Sequence, residues 1–226
     1  MVNLQEYITE KFRINSSSRP TIKPKNRREL RDIIKSRSKQ SNNSSTLDLN
    51  DIDVSEISSF IGIFSDVILQ DVKLGYWRFS DKCYSIAGMF ANQTRLRSID
   101  DLSNWNVDGI SNMSSLFSNC EMLREVKGID KWNVENVKTM SSMFNNCKLL
   151  EDLGDLSHWP ILNIEDMTGM FNGCKRLTDI GDINNWENVN PTILEQNVFT
   201  GNMFNDCNTK LYPEWYIKKH NLRYYK

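Results

Sequence analysis

Trp105, Trp132, Trp159 and Trp186 stand 27 residues apart, and Phe90, Phe117, Phe144 and Phe171 keep the same interval. A fixed period of this length is the signature of a chain built from stacked copies of one supersecondary unit. Aligned on Phe, further columns appear. Leu96, Leu123, Leu150 and Leu177 form one; Ile99, Val126, Leu153 and Ile180 another; Leu102, Ile129, Leu156 and Ile183 a third. Cys120, Cys147 and Cys174 each follow a Phe by three places, and Met113, Met140 and Met167 close the cycle. The segment Leu49 to Phe64 matches Leu102 to Phe117 with Ile52 in the Trp place. At the other end Cys207 follows Phe204 by three, after six extra residues. About six copies therefore run from Leu47 to Cys207.

Around each Phe the apolar steps are three and four, as in Val137, Met140, Phe144, Cys147 and Leu150, which predicts a short helix. Trp132 and Val134 alternate, which predicts a short strand there, with turns at the Asn-, Asp- and Gly-rich stretches SNWN, GIDKWN and GDINNW. Such a unit cannot bury its stripe alone; stacking creates one continuous core. Phe90, Trp105, Phe117, Cys120, Trp132, Phe144, Cys147, Trp159, Phe171, Cys174 and Trp186 are thus assigned to structure. Truncating one of these aromatics to Ala is expected to remove roughly 3–5 kcal/mol.

The same residues resemble the BspA-type leucine-rich repeats, whose text approximates MSxMFxxCxxLxxI…W…V…V. Here it reads MSSLFSNCEMLREVKGIDKWNVENV and MSSMFNNCKLLEDLGDLSHWPILNI, and the likeness covers residues 47–208. The resemblance implies an α/β fold: a short right-handed leucine-rich-repeat-like solenoid of about six 27-residue coils, each a short helix plus a short strand and turns. It also implies a binding role, often at bacterial or protist surfaces. Relatives without an export signal are similar to proteins of gut bacteria and their phages, which points to a virion or host-interaction component.

Three parts are expected: a basic arm over residues 1–46 with one or two short helices, the repeats over 47–208, and a C-terminal cap over 209–226. The net charge of −1 conceals an asymmetry. Eleven Lys and Arg lie between Lys11 and Lys39 against Glu29 and Asp32, while residues 40–226 contribute −8. Within the arm, NRRELRDIIKSR offers Asn26 as N-cap, Glu29 three places on, and Leu30, Ile33 and Ile34 as an apolar stripe. Lys23, Lys25, Arg27, Arg28, Arg31, Lys35, Arg37 and Lys39 are candidates for contact with a partner. That partner is another protein, within a large assembly, or nucleic acid as the alternative; the helix could equally cap the first coil. In the tail, Trp215, Tyr216 and Ile217 after Pro213 are suited to covering the last coil.

Chemistry finds little support. If the cysteines sit on successive packed helices, with axes about 8–10 Å apart, they lie beyond disulfide reach of about 7 Å, and no CxxC pair suggests zinc. Of two histidines, His158 sits in a turn where other copies carry Asn104, Lys131 and Asn185, and His220 lies in the tail. Asp101, Asp130, Asp155 and Asp182 fall near the same turn of successive coils and are expected as solvated caps rather than Ca²⁺ ligands. No enzyme, cofactor or metal is expected. MVNLQEYITEKF lacks the order of a secretory signal, and no apolar run approaches a membrane span. The expectation is no membrane insertion, and a place in the cytoplasm or in a particle assembled there.

Overall fold

A computed structural model describes residues 22–40, 45–195 and 197–222. The expectations for residues 1–21, including any helix before the arm's main one, lie outside these. The described elements are a helix α1 (Arg27–Gln40), strands β1 (Thr46–Asp48), β2 (Asp71–Lys73) and β3 (Ser98–Ile99), and two short helices, α2 (Asn185–Val189) and α3 (Glu214–Lys219). Single 3-10 turns occur at Ile129–Lys131, Leu156–His158, Pro191–Leu194 and Thr209–Leu211.

Equivalent residues of successive copies pair in parallel. β1, β2 and β3 form a sheet in that order, with Leu47 opposite Val72 and Val72 opposite Ile99, and the bridge Glu125–Asp152 continues the column. A second column of bridges runs Ser59, Ser85, Asn112, Thr139, Asp166, Phe199. Parallel pairing at a one-copy offset keeps every apolar column in register, so the inward side chains meet their own kind. The Phe rings from Phe64 to Phe204 stack with centroids 5.1–5.8 Å apart and planes within 18° of parallel.

The helix expected at each Phe does not form; two successive turns take its place. The N–H groups of Met113, Ser115, Phe117 and Asn119 donate to Thr139, Ser141, Met143 and Asn145 of the next copy at 2.7–2.9 Å. The N–H groups between them (Leu116, Ser118, Cys120) close turns onto the carbonyl three residues back. Half of the donors are thereby spent between copies, which a helix would not permit. The turns require a left-handed backbone two residues before and two after Phe: Ser115 and Asn119 have φ of 56° and 61°, and Ser142 and Asn146 repeat this at 56° and 58°. A stripe at steps of three arises from these turns as readily as from a helix.

The strand expected at Trp132 and Val134 is also replaced. Trp132 ends the 3-10 turn Ile129–Lys131, and the parallel pairing lies in the Leu47/Val72/Ile99 column and the Ser59 to Phe199 column. The indoles are fixed by a different bond. Trp77, Trp105, Trp132, Trp159 and Trp186 donate Nε1–H at 2.9–3.2 Å to the carbonyls of Leu49, Leu74, Leu102, Ile129 and Leu156, each in the preceding copy. A buried indole thus keeps its one donor satisfied while its ring fills the core.

Candidate functional site

The cysteines show what the core does with reactive groups. Cys120, Cys147 and Cys174 are fully buried, and each thiol lies 3.1–3.2 Å from the carbonyl of the Phe one copy earlier. Cys207 makes the same bond to Phe171. In the Phe90 copy Gln93 stands in the Cys place, and its Nε2 reaches Phe64 O at 2.9 Å. Burial pushes the Cys147 thiol up to about 12 and keeps it from becoming a nucleophilic thiolate. All five cysteines are free thiols.

Asp101, Asp155 and Asp182 each accept a hydrogen bond from the N–H two residues on, at Ser103, Ser157 and Asn184. They are Asx caps of turns. Asp130 falls out of that column; its copy carries Gly128 there, with φ of 84°. Among the described residues no three His, Cys, Asp or Glu side chains converge as a metal set would. His158 has a side chain 82% exposed and stands alone in its turn apart from Asp155 at 3.9 Å.

The arm is less detached than its composition suggests. Ile22 pairs in parallel with Ile52 in the Trp column, through Ile22 N–H to Asp51 O and Asp53 N–H to Ile22 O. α1 then crosses the first copy. Its start carries the expected N-cap: Asn26 Oδ1 accepts from Glu29 N–H at 3.0 Å, and the Glu29 carboxylate accepts from the N–H of Lys25, one residue before the cap, at 2.8 Å. Leu30 and Ile34 are fully buried, worth about 1.5–3 kcal/mol each in apolar burial.

Five of the eight candidate cations face the first copy. Lys23 pairs with Asp53 and Glu56; Arg31 and Lys35 converge on Asp66 at 2.6 Å each; Arg37 grips Asp51 at 2.5 and 2.7 Å. The Arg27 guanidinium donates to Ile61 O. Hydrogen bonds from Arg31 and Lys35 hold the Asp66 carboxyl well below the usual carboxylate range. Lys25, Arg28 and Lys39 are exposed. Sequence reasoning named the cations but missed their counter-ions, although a signal existed. Asp51, Asp53 and Asp66 occupy columns that in the Phe117 and Phe144 copies hold Asn104 and Lys131, Asn106 and Asn133, and Asn119 and Asn146.

At the far end α3 supplies a further member of the Trp column. Trp215 stacks on Trp186 at 6.5 Å and donates to Ile183 O at 2.9 Å. Tyr216 packs edge-on against Phe204 at 5.0 Å. Lys219 Nζ sits among the carbonyls of Ile193, Glu195 and Val198 at 2.6 Å, tying down the six-residue insertion. His220 Nε2 lies 2.8 Å from Thr200 Oγ1.

The residues beside the Trp column form one face open to outside contact. On either side of each buried Trp the chain alternates in and out, and the outward side chains differ between copies. Tyr76 and Arg78 flank Trp77, Asn104 and Asn106 flank Trp105, Lys131 and Asn133 flank Trp132, and His158 and Pro160 flank Trp159, with Leu162 beyond. Tyr76 and Leu162 are 58% and 50% exposed. No helix among the described residues is long and apolar enough to cross a membrane.

Comparison with the curated proteins and with the solved structures finds no match to this chain. A family model does match, twice in overlapping register, over residues 34–149 and 84–212. The overlap is what a repeat produces, since one model can be laid on the same columns at more than one offset. The matched region takes in the end of α1, all the stacked Phe rings and the Trp column up to Trp186, so the chain belongs to the family described as Mycoplasma protein of unknown function, DUF285.

Proposed function

We propose that the chain is a non-enzymatic protein-binding module: a short right-handed solenoid of the BspA-type leucine-rich repeat class, held as a stiff scaffold in a larger assembly such as a virion. One observation carries this reading. The inward columns repeat nearly unchanged and consume their own hydrogen-bonding groups, while the outward residues beside each Trp change from copy to copy on a fixed spacing. A constant frame with a varied face suits recognition of an extended protein surface, and Tyr76, Lys131, His158 and Leu162 are the residues assigned to it. Of these, Tyr76 is of the residue types in which interface binding energy is concentrated.

Nucleic-acid binding by the arm is less favoured, because acids of the first copy already neutralise much of its charge. The test is capture of partners from source lysate by the full chain, by a Tyr76→Ala, Lys131→Ala, His158→Ala, Leu162→Ala variant, and by a variant changed at Lys25, Arg28 and Lys39. Loss of one protein partner in the first variant alone supports the reading. Capture dependent on Lys25, Arg28 and Lys39 and abolished by salt would replace it with arm-mediated binding to a polyanion. Specific turnover lost on changing His158 would sink it.

A further inference from the structure

α1 sits on the first copy in the way a helical ligand sits in a groove. Two apolar anchors, Leu30 and Ile34, point inward at a spacing of four. Arg27, Arg31 and Lys35 follow one another at the same spacing along the helix edge and reach Ile61 O, Ser65 Oγ and Asp66. Arg37 closes the far end on Asp51 and the Asp48 carbonyl. The receiving surface is specific to this copy: Asp51 and Asp66 stand where the Phe117 and Phe144 copies carry Asn or Lys. The first copy therefore carries a surface complementary in charge and shape to one basic amphipathic helix, joined to the rest of the chain only through the five residues between Gln40 and Thr46.

We propose that this surface takes α1 in trans, from a second copy of the chain, by reciprocal exchange. Each copy's basic helix then covers the other's acidic groove, using the contacts it makes in cis. A symmetric swap leaves no groove empty and closes at two chains. Because the same contacts form in both arrangements, protein concentration sets the balance between cis and trans, while salt, by screening the partly exposed ionic rim, sets how readily the helix leaves either surface. The exchange uses contacts of the first copy, whereas Tyr76, Lys131, His158 and Leu162 belong to later copies, so the two can be tested apart.

Two charge-reversed full-length chains test it. One carries Arg31→Glu, Lys35→Glu and Arg37→Glu; the other carries Asp51→Arg and Asp66→Arg. Alone, each opposes like charges in cis and sediments as a chain of 26.4 kDa. Mixed at low salt, they are expected to form a 1:1 complex of twice that mass, at least tenfold tighter than either self-association and lost at about 0.5 M salt. Near-UV circular dichroism of the Trp column checks that both are folded. Two folded chains that stay monomeric when mixed overturn the proposal. Should either chain fail to fold, a labelled peptide of residues 22–40 is titrated onto the wild-type chain. Saturable binding, absent for a peptide with the same three Glu changes, supports the exchange, and no binding overturns it.

Discussion

Single residues here are fixed by their neighbours one copy away. Gly128 shows this most sharply: its backbone is left-handed at φ of 84°, and a Cβ placed on it would collide with the Ser103 backbone nitrogen and the Asp101 carboxylate. Gly128→Ala is expected to cost at least about 1–3 kcal/mol from backbone strain alone, measured by urea unfolding. Gly201, with nothing within 4 Å of the place an added methyl would take and no positive φ, is the control; Gly201→Ala should change stability by less than about 1 kcal/mol. The core residues were legible from the period, because burial repeats whenever the unit repeats. Their backbone was not, because steps of three and four suit a pair of turns as well as a helix. The discriminating signal lay in the columns two places either side of Phe: Gly88, Ser115, Ser142 and Gly169 before it, and Asn92, Asn119, Asn146 and Gly173 after it. Gly, Asn and Ser tolerate left-handed or turn backbone, and none favours a helix interior.

At the level of elements, both ends are closed by helices that borrow the repeat's own positions. Ile22 takes a place beside Ile52 ahead of α1, and Trp215 of α3 extends the indole column past Trp186. Composition leaves open whether the arm docks on a partner or caps the first coil, since a count of charges shows nothing of the acids that will meet them. α3 was easier to anticipate from Pro213 and the aromatic pair behind it, but its place in the Trp column was hidden by the insertion between Trp186 and Phe204. That end carries a titratable contact. Burial, reinforced by Lys219 next to it, lowers the His220 pKa below its ordinary 6.5. Thr200 Oγ1 and the Tyr216 ring are its other neighbours. The folded cap thus favours neutral imidazole: its contribution is complete above about pH 6.5 and declines as pH falls through the lowered folded value. Trp215 fluorescence followed under mild denaturant from pH 7.5 to 4.5 is expected to report earlier loosening of α3 in acid. His220→Gln should flatten that dependence, and an unchanged profile in this variant would assign the acid response elsewhere.

For the whole molecule, stability is a sum of nearly equal contacts between neighbours, with few long-range contacts beyond them. The four backbone bonds, one indole bond and one thiol bond at the boundary of the Phe117 and Phe144 copies recur at the next boundary. Removing residues 130–156 joins Ile129 directly to Ser157 and preserves each column. This shortened chain is expected to fold cooperatively with a urea m-value reduced roughly in proportion to the lost surface. A deletion of about half that length, by contrast, throws every later column out of register and should leave no folded species. Because the boundaries are interchangeable, length is a quantity this gene can change without inventing a new surface to bury. Misaligned recombination between the DNA of two copies yields another viable product in one event, with a longer or shorter face of newly juxtaposed outward residues. The bond from each indole to the copy before it thus also works as a grammar for inheritance, in which whole units can be inserted or dropped while half units cannot be dropped.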